Sequence, residues 1–222
     1  MNNFKFKIFR YIYNKLKHTK LMTKNMECPG NGFLGHIATE LMVSFNKSVI
    51  KDAVKKLNVK KNNKIIEIGS GNGEALEMLV RSTDKKITSI EISDKFRKKL
   101  INKFKNKNIE FFTNDAKNMV DIIVDDTFDK LLAINVIYFL KPLNEYAKEF
   151  YRILKFNGYG LIACKFEGIQ NFNEETAPNK NIKKVIKIFE DAGFQVDSKF
   201  VDSKYDHEKY HAIFIRKNKN EK

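Results

Sequence analysis

The chain of 222 residues has no tryptophan, three prolines and two cysteines. Cys28 and Cys164 lie far apart, with no CxxC pair and no histidine at ligand spacing, so the sequence predicts neither a disulfide framework nor a metal site. No proline-, glycine- or serine-rich linker divides the chain, and its length supports one domain with a full core. We expect a cytoplasmic protein built as one continuous domain.

A long apolar run is also missing. The longest one, residues 131–140, contains Asn135 and has about half of the roughly 20 apolar residues that a membrane-spanning helix needs. It is typical of a buried strand instead.

Acidic residues are few relative to basic ones. The chain carries 42 Lys and Arg residues against 27 Asp and Glu residues, a formal net charge of +15. Such a charge would suit a nucleic acid or an anionic membrane as a partner. Composition offers a second explanation, because Lys, Asn, Ile and Phe are all abundant, as AT-rich codons would produce. The sequence leaves both explanations open.

The first acidic residue is Glu27. Before it, residues 4–24 interleave apolar side chains with Lys and Arg in the pattern of a basic amphipathic helix. Such a helix could dock on the domain, cap an active site or make peripheral contact with a membrane. A targeting peptide is disfavoured, because this stretch contains one arginine, Arg10, and no serine. We divide the chain into an N-terminal helix and lid segment (1–46), a main domain (47–217) and a basic tail (218–222).

From residue 47 onward, helix and strand patterns alternate, and such alternation predicts a doubly wound α/β sheet, mostly parallel, with helices on both faces. Two β-like runs, 194–201 and 210–216, end the chain without a helix between them and predict a C-terminal antiparallel hairpin. The predicted strands are 64–68, 86–92, 109–113, 128–135, 160–165, 194–201 and 210–216, seven in all. The predicted helices are 47–57, 74–81, 94–104, 116–122, 143–154 and 181–192.

A glycine-rich loop follows the first buried strand and reads Glu-Ile-Gly-Ser-Gly-Asn-Gly from Glu67 onward. Gly69 and Gly71 permit backbone torsions and a close ligand approach that a Cβ would obstruct, and Gly73 lets the next helix pack tightly. A dinucleotide-binding loop would need a glycine where Glu74 stands, and that carboxylate would repel a pyrophosphate. The acidic-x-GxGxG pattern favours a ligand without pyrophosphate but with positive charge, such as S-adenosylmethionine.

The loop and the strands after it resemble the class I S-adenosylmethionine-dependent methyltransferase family, and most closely its small-molecule branch. Further markers are Glu91 in Ser-Ile-Glu-Ile-Ser, Asp115 in Thr-Asn-Asp-Ala, and the strand that ends at Asn135. By this resemblance, Glu91 accepts the ribose hydroxyls, Asp115 lies near the adenine amino group, and the strand end lies by the reactive methyl group. The resemblance implies a Rossmann-like fold, S-adenosyl-L-methionine as cofactor, and cofactor-binding roles for Glu67, Gly69, Ser70, Gly71, Gly73, Glu91, Ile92, Asp115, Ala116 and Asn135.

The resemblance spans residues 47–216, with one departure. Phe156-Asn157-Gly158 stands where the family usually has Pro-Gly-Gly. Upstream, residues 28–36 and 42–46 resemble the lead-in of the small-molecule branch. The glycines there would allow a mobile lid that excludes water from the cofactor.

The implied activity is transfer of a methyl group to a small-molecule acceptor by in-line displacement. Alignment of the reactants contributes at best about 7–11 kcal/mol to such a reaction, and a base is needed only where the nucleophile must lose a proton. Residue type and nearness to the strand ends make His36, Tyr138, His207 and His211 candidate bases. His36 and Tyr138 are the predicted catalytic residues.

Several acceptor classes are disfavoured by what the sequence lacks. Residues 135–138 lack the two prolines of adenine N-methylating enzymes, neither cysteine lies in the Pro-Cys loop of cytosine C5 methylation, and arsenic methylation would require several thiols. Three alternatives stay open: an RNA methyltransferase that uses the basic surface, a lipid or quinone methyltransferase held at a membrane by residues 4–24, and a non-catalytic nucleotide-binding module. Residues 166–178 form a predicted acceptor-binding loop.

Overall fold

A computed structural model describes residues 3–218 of the chain. In this range one sheet forms from β1 (Ile65–Ile68), β2 (Ile87–Ile90), β3 (Ile109–Phe112), β4 (Phe128–Ile134), β5 (Leu154–Cys164), β6 (Gln195–Val201) and β7 (Tyr210–Arg216). The helices are α1 (Asn3–Leu16), α2 (Lys20–Glu27), α3 (Phe33–Leu57), α4 (Glu74–Ser82), α5 (Asp94–Lys103), α6 (Leu143–Ile153) and α7 (Ile182–Asp191).

The strand order is β3-β2-β1-β4-β5-β7-β6. The first five strands run parallel, and β7 pairs antiparallel with both β5 and β6. This arrangement confirms the predicted doubly wound sheet of seven strands with its C-terminal antiparallel hairpin. The order reverses between β1 and β4, and ligands of such sheets bind beyond the carboxyl ends of the strands at this switch point.

The consecutive isoleucines of β1, Ile65 and Ile66, are explained by burial on both faces of the sheet. Ile66 and Ile68 belong to the core that α6 and α7 cover, whereas Ile65 points into the core beneath α3, α4 and α5. Successive strand residues point to opposite faces, so a strand covered on both sides has apolar residues at consecutive positions. Their burial fixes β1, and with it the loop that follows.

The basic amphipathic stretch forms two helices that pack on the domain. The break between them is capped by Thr19, whose Oγ1 accepts a hydrogen bond from the Met22 backbone N–H at 3.2 Å. In α1 the inward-facing ring of Phe9 is buried, and the ring of Tyr13 lies 6.4 Å from that of Phe45 in α3. None of the helices within residues 3–218 has both the length and the apolarity to cross a bilayer.

The helix predicted over residues 47–57 begins fourteen residues earlier, at Phe33. The boundary drawn between residues 46 and 47 therefore falls inside α3, and the lid segment and the first helix of the domain share one rigid element. Gly35 lies in this helix, where a Cβ would clash with the carbonyl oxygen of Gly30. Gly35 thus serves close packing of the preceding loop against α3.

Two other local predictions are corrected by the structure. Residues 116–122 form consecutive turns instead of a short helix. The strand predicted from residue 160 begins at Leu154, and the Asn-Gly turn lies within β5, with Asn157 at a φ of +62°. Asparagine tolerates this left-handed conformation, and so the turn forms with Asn157 in place of the first glycine of the family's usual Pro-Gly-Gly. Of the predicted basic tail, residues 219–222 lie outside the described residues.

Candidate active site

The carboxyl ends of the parallel strands open into a cavity of about 1130 Å³. The loops after β1, β2, β3, β4 and β5 contribute to its walls, and α1 and α3 contribute from the other side. The structure brings nearly all of the predicted cofactor residues to this one cavity. The residues lining it include Glu67, Gly69, Ser70, Gly71, Glu91, Ile92, Asp115, Ala116 and Asn135.

The three loop glycines have different structural roles. Gly69, Gly71 and Gly73 have φ angles of +73°, +52° and +77°, the left-handed region that favours glycine. A Cβ at Gly69 would clash with Val136, and one at Gly73 would lie 2.5 Å from Leu100 Cδ2 of α5. At Gly71 a Cβ would meet no atom within 4 Å. Gly69 and Gly73 therefore permit packing, and the bare backbone of Gly71 borders open space at the cavity.

Glu67 is a buried carboxyl at the end of β1. It accepts a hydrogen bond from Ser70 Oγ at 2.9 Å, and this hydroxyl lies 2.8 Å from Ser89 Oγ. Burial raises the pKa of Glu67 to about 8. The ligand-free protein therefore favours the protonated carboxyl at neutral pH, and a cationic ligand nearby would favour the ionised form.

Glu91 is fixed at the cavity wall by two backbone donors. The N–H of Gly71 donates to Oε2 and the N–H of Ser93 donates to Oε1, each at 2.8 Å. Burial raises the pKa of Glu91, whereas these two hydrogen bonds lower it. A carboxylate oxygen has two lone pairs, so both oxygens can also accept from a ligand hydroxyl. A vicinal diol suits this arrangement.

Asp115 follows β3, and a cavity residue that the sequence analysis missed lies beside it. Burial and the neighbouring carboxylate of Asp115 raise the pKa of the Tyr146 hydroxyl in α6. Tyr146 lies thirty-one positions further along the chain in an amphipathic helix, where an aromatic side chain is typical of the hydrophobic core. No local pattern connects the two residues.

Asn135 directly follows β4 and has a left-handed conformation, with a φ of +55°. Its Oδ1 accepts a hydrogen bond from the Tyr138 hydroxyl at 2.9 Å. Its Nδ2 is buried and has no hydrogen-bond partner within the part of the chain that the structure describes. A buried donor left without an acceptor is costly, so a ligand acceptor at this position would stabilise the site.

These features fit S-adenosylmethionine. Its ribose hydroxyls match Glu91, its positive charges match the acidic residues beside the loop, and the open face of Gly71 admits it. The buried donor of Asn135 is a further group that a bound ligand would satisfy. By contrast, Glu74 lines the cavity where a dinucleotide would place its pyrophosphate.

The predicted catalytic residues are separated in the structure. Tyr138 is buried and lines the cavity, and burial raises the pKa of its hydroxyl well above its ordinary value. His36 is exposed on α3 and does not line the cavity; its Nε2 lies 3.2 Å from Lys5 Nζ of α1. Of the other candidate bases, His207 lines the cavity, whereas His211 contacts Glu167 Oε1 at 2.7 Å and lies outside it.

Lys165 is a second cavity residue that the sequence analysis missed. It follows β5 directly, and its Nζ donates to the Phe45 carbonyl oxygen at 2.6 Å and to Asn46 Oδ1 at 2.8 Å. Burial lowers its pKa to about 8. The available signal was position alone, since a lysine directly after a buried strand lies at the edge of the sheet where ligands bind.

Residues 66–162 match the family model of a methyltransferase domain. This match, together with the chemistry of the cavity, indicates an S-adenosylmethionine-dependent methyltransferase. This assignment makes S-adenosylmethionine the cofactor of the enzyme, in agreement with the chemistry of the cavity. The matched segment runs from β1 into β5 and so contains the glycine loop, Glu91, Asp115 and Asn135.

Solved structures share the fold of this methyltransferase at low identity. A chain in the complex of the Haloferax volcanii Trm112 methyltransferase activator with a candidate methyltransferase has a TM-score of 0.69 at 15% identity, covering 81% of this chain and 93% of that one. The [4+2]-cyclase SpnF has a TM-score of 0.63 at 14% identity, with coverage of 93% and 95%.

A S-adenosylmethionine-dependent methyltransferase from Aquifex aeolicus has a TM-score of 0.61 at 19% identity, covering 78% of this chain and 92% of that one. Curated protein sequences give no significant match to the chain. At these identities the solved structures show the fold, and the acceptor has to be argued from the cavity.

Proposed function

We propose that this enzyme transfers the methyl group of S-adenosylmethionine to a small-molecule acceptor bound in the same cavity as the cofactor. The observation that carries the proposal is a cavity of about 1130 Å³ that extends from the glycine loop to α1. Pockets for a single drug-sized ligand commonly have about 300–1,000 Å³. The cavity therefore has space for an acceptor beside the cofactor.

The N-terminal helices favour a small acceptor over a macromolecule. Tyr13 of α1 and Phe45 of α3 form one wall of the cavity, and Phe139 and Phe172 line it after β4 and β5. The rings of Phe139 and Phe172 stack at 6.3 Å, and Tyr13 meets Phe172 edge to face at 6.4 Å. An aromatic chamber of this kind binds a compact ligand by burying its apolar surface.

Cofactor binding is assigned, as part of this proposal, to the predicted residues that line the cavity. When bound, S-adenosylmethionine supplies a methyl group on a sulfonium, which needs no further activation. Tyr138 orients Asn135 through their 2.9 Å hydrogen bond, and its hydroxyl oxygen accepts a hydrogen bond from the backbone N–H of Lys165. Because burial raises its pKa, Tyr138 keeps its proton and acts by positioning. The exposed position of His36 gives its predicted role as a base no support.

A lipid or quinone acceptor is a second candidate, and one feature of α1 favours it. Ile8 and Tyr11 are 42% and 64% exposed, and Leu21 of α2 is 63% exposed, in a segment with no acidic residue before Glu27. Exposed apolar side chains among cations suit the surface of an anionic membrane. We expect that Ile8→Ser/Tyr11→Ser would lower sedimentation with phosphatidylserine vesicles only if this candidate is right.

The proposed function is tested by transfer of a labelled methyl group to separate metabolite, lipid and RNA extracts, with Glu91→Ala as the negative control. Label in the metabolite extract supports it, and label confined to lipid or RNA contradicts it. Cofactor binding without transfer to any extract would favour a non-catalytic module. Because the Haloferax volcanii neighbour is in a complex with an activator, each assay is repeated with added cell lysate to supply such a partner.

A further inference from the structure

The ammonium group of Lys165 is bound by neutral oxygens at the acceptor end of the cavity. Its two hydrogen bonds go to the Phe45 carbonyl oxygen and Asn46 Oδ1, and an ammonium group has three donors. Burial lowers the pKa of Lys165, and Glu208 offsets this effect only in part. A cation in this state gains from an anionic partner, because desolvation has removed the water that would otherwise stabilise its charge.

Two carboxylates of this region have hydrogen-bond partners other than Lys165. Glu167, which follows Lys165 by two positions, has its Oε1 2.7 Å from His211 Nε2. Glu208 accepts a hydrogen bond from Ser203 Oγ at 2.7 Å. Neither carboxylate makes an ion pair with Lys165, so the charge of the lysine stays available to a ligand in the cavity.

The charges of the cavity wall are unevenly distributed. Glu67 of β1, Glu74 of α4, Glu91 after β2 and Asp115 after β3 lie among the cofactor residues, whereas Glu27 and Glu167 line the cavity from α2 and from the segment after β5. The cations of the cavity wall are Arg10 and Lys17 of α1, Lys141 after β4, Lys165 after β5, and Lys204 and Lys209 before β7. A positively charged cofactor suits the first group, and a ligand of opposite charge suits the second.

We infer that the acceptor is a flat, apolar or aromatic molecule with an anionic group, such as a carboxylate or a phenolate, and that Lys165 binds this group. The inference rests on the proposed function. The rings of Tyr13, Phe45, Phe139 and Phe172 would cover the apolar part of the acceptor, and the Lys165 ammonium would donate its third N–H to the anion. Lys165 is thus an acceptor-binding residue that selects for charge.

The test compares two probes of nearly the same shape, 2-naphthoate and 2-naphthamide, in calorimetric titrations of the full chain saturated with S-adenosylhomocysteine. We expect the carboxylate to bind about 10- to 100-fold more tightly than the amide, the range of a charge-assisted hydrogen bond. Lys165→Gln should remove this preference and leave naphthamide binding unchanged. Lys165→Arg, which keeps the charge, should retain part of it. Lys148→Gln, at an exposed position on α6, is the matched control.

Naphthoate that binds no better than naphthamide to the wild-type enzyme would overturn the inference, whether or not the Lys165 variants fold. So would a preference that survives Lys165→Gln. Failure of the proposed function can be distinguished from failure of this inference, because the proposed function requires only that labelled methyl groups appear in some metabolite. Extracts fractionated on an anion-exchange resin before the labelling reaction distinguish the two: label in the neutral metabolite fraction alone supports the function and contradicts an anionic acceptor.

Discussion

Replacing Glu67 by glutamine should make the stability of the ligand-free enzyme less dependent on pH. Burial raises the pKa of this carboxyl from 4.5 to about 8 in the folded protein. Below pH 4.5 it is protonated in both the folded and the unfolded chain. Between these values the unfolded chain is ionised while the folded protein keeps its proton, so the wild type loses stability as the pH rises, until the folded group also ionises near pH 8.

The size of the effect follows from the width of this interval. One pH unit corresponds to about 1.4 kcal/mol for each proton that only one state binds. From pH 5 to pH 7 the wild type should therefore lose about 2–3 kcal/mol of unfolding free energy that Glu67→Gln does not lose. For a chain of this length, such a difference shifts the melting temperature by roughly 4–12 °C. Glutamine has nearly the same shape and can still accept a hydrogen bond from Ser70.

The assay is urea denaturation of both proteins at pH 5, 6, 7 and 8. The difference between their unfolding free energies is followed as a function of pH. Glu77→Gln, at a partly exposed carboxyl of α4 that pairs with Lys103, serves as the control. Saturating S-adenosylmethionine should reduce the effect, because positive charge favours the ionised carboxyl. If the difference in unfolding free energy between Glu67→Gln and the wild type stays constant from pH 5 to pH 8, the reasoning is refuted.

Four further substitutions test the site. Glu91→Ala should weaken S-adenosylhomocysteine binding at least about tenfold, because it removes an ionised acceptor worth roughly 1.5–3 kcal/mol per hydrogen bond; unchanged calorimetric affinity would exclude Glu91 from the cofactor site. Gly73→Ala should lower the unfolding free energy, measured by urea denaturation, by about 2–4 kcal/mol through backbone strain and overpacking. Gly71→Ala, which has open space at its Cβ, should lower it by about half as much but weaken cofactor binding. Equal losses of stability in the two variants would contradict this account. Tyr138→Phe should lower kcat more than cofactor affinity in steady-state assays, since it releases Asn135 without vacating volume; an effect confined to cofactor affinity would argue against positioning.

The short helix predicted over residues 116–122 shows how a distant contact replaces a local one. Met119 is fully buried, and its backbone N–H donates to Glu149 Oε1 of α6 at 3.0 Å. A helix would have satisfied this donor within the segment, but the carboxylate satisfies it from another element. The apolar spacing of the segment correctly indicated burial, and it carried no information about the partner.

His36 shows a related difficulty on a regular element. The sequence placed it in a lid beside the cofactor, which was reasonable from its neighbours alone. In α3, however, Met42, Phe45 and Asn46 line the cavity, whereas His36 faces Lys5 and Phe9 of α1. Which side of a helix faces a ligand depends on how that helix packs, and a helix covered on several sides has no single apolar face that reveals it.

The sequence by itself determined the glycine loop and the carboxyls at the strand ends, because each of these parts is local. An apolar strand is followed directly by the glycines and the carboxylate that need its rigid end, and the strand ends fall together in any doubly wound sheet. Only the tertiary structure decided the chamber proposed for the acceptor. Tyr13, Phe45, Phe172 and Lys165 come from distant parts of the chain, and they line one cavity because α1 packs on α3 beside the carboxyl ends of the strands.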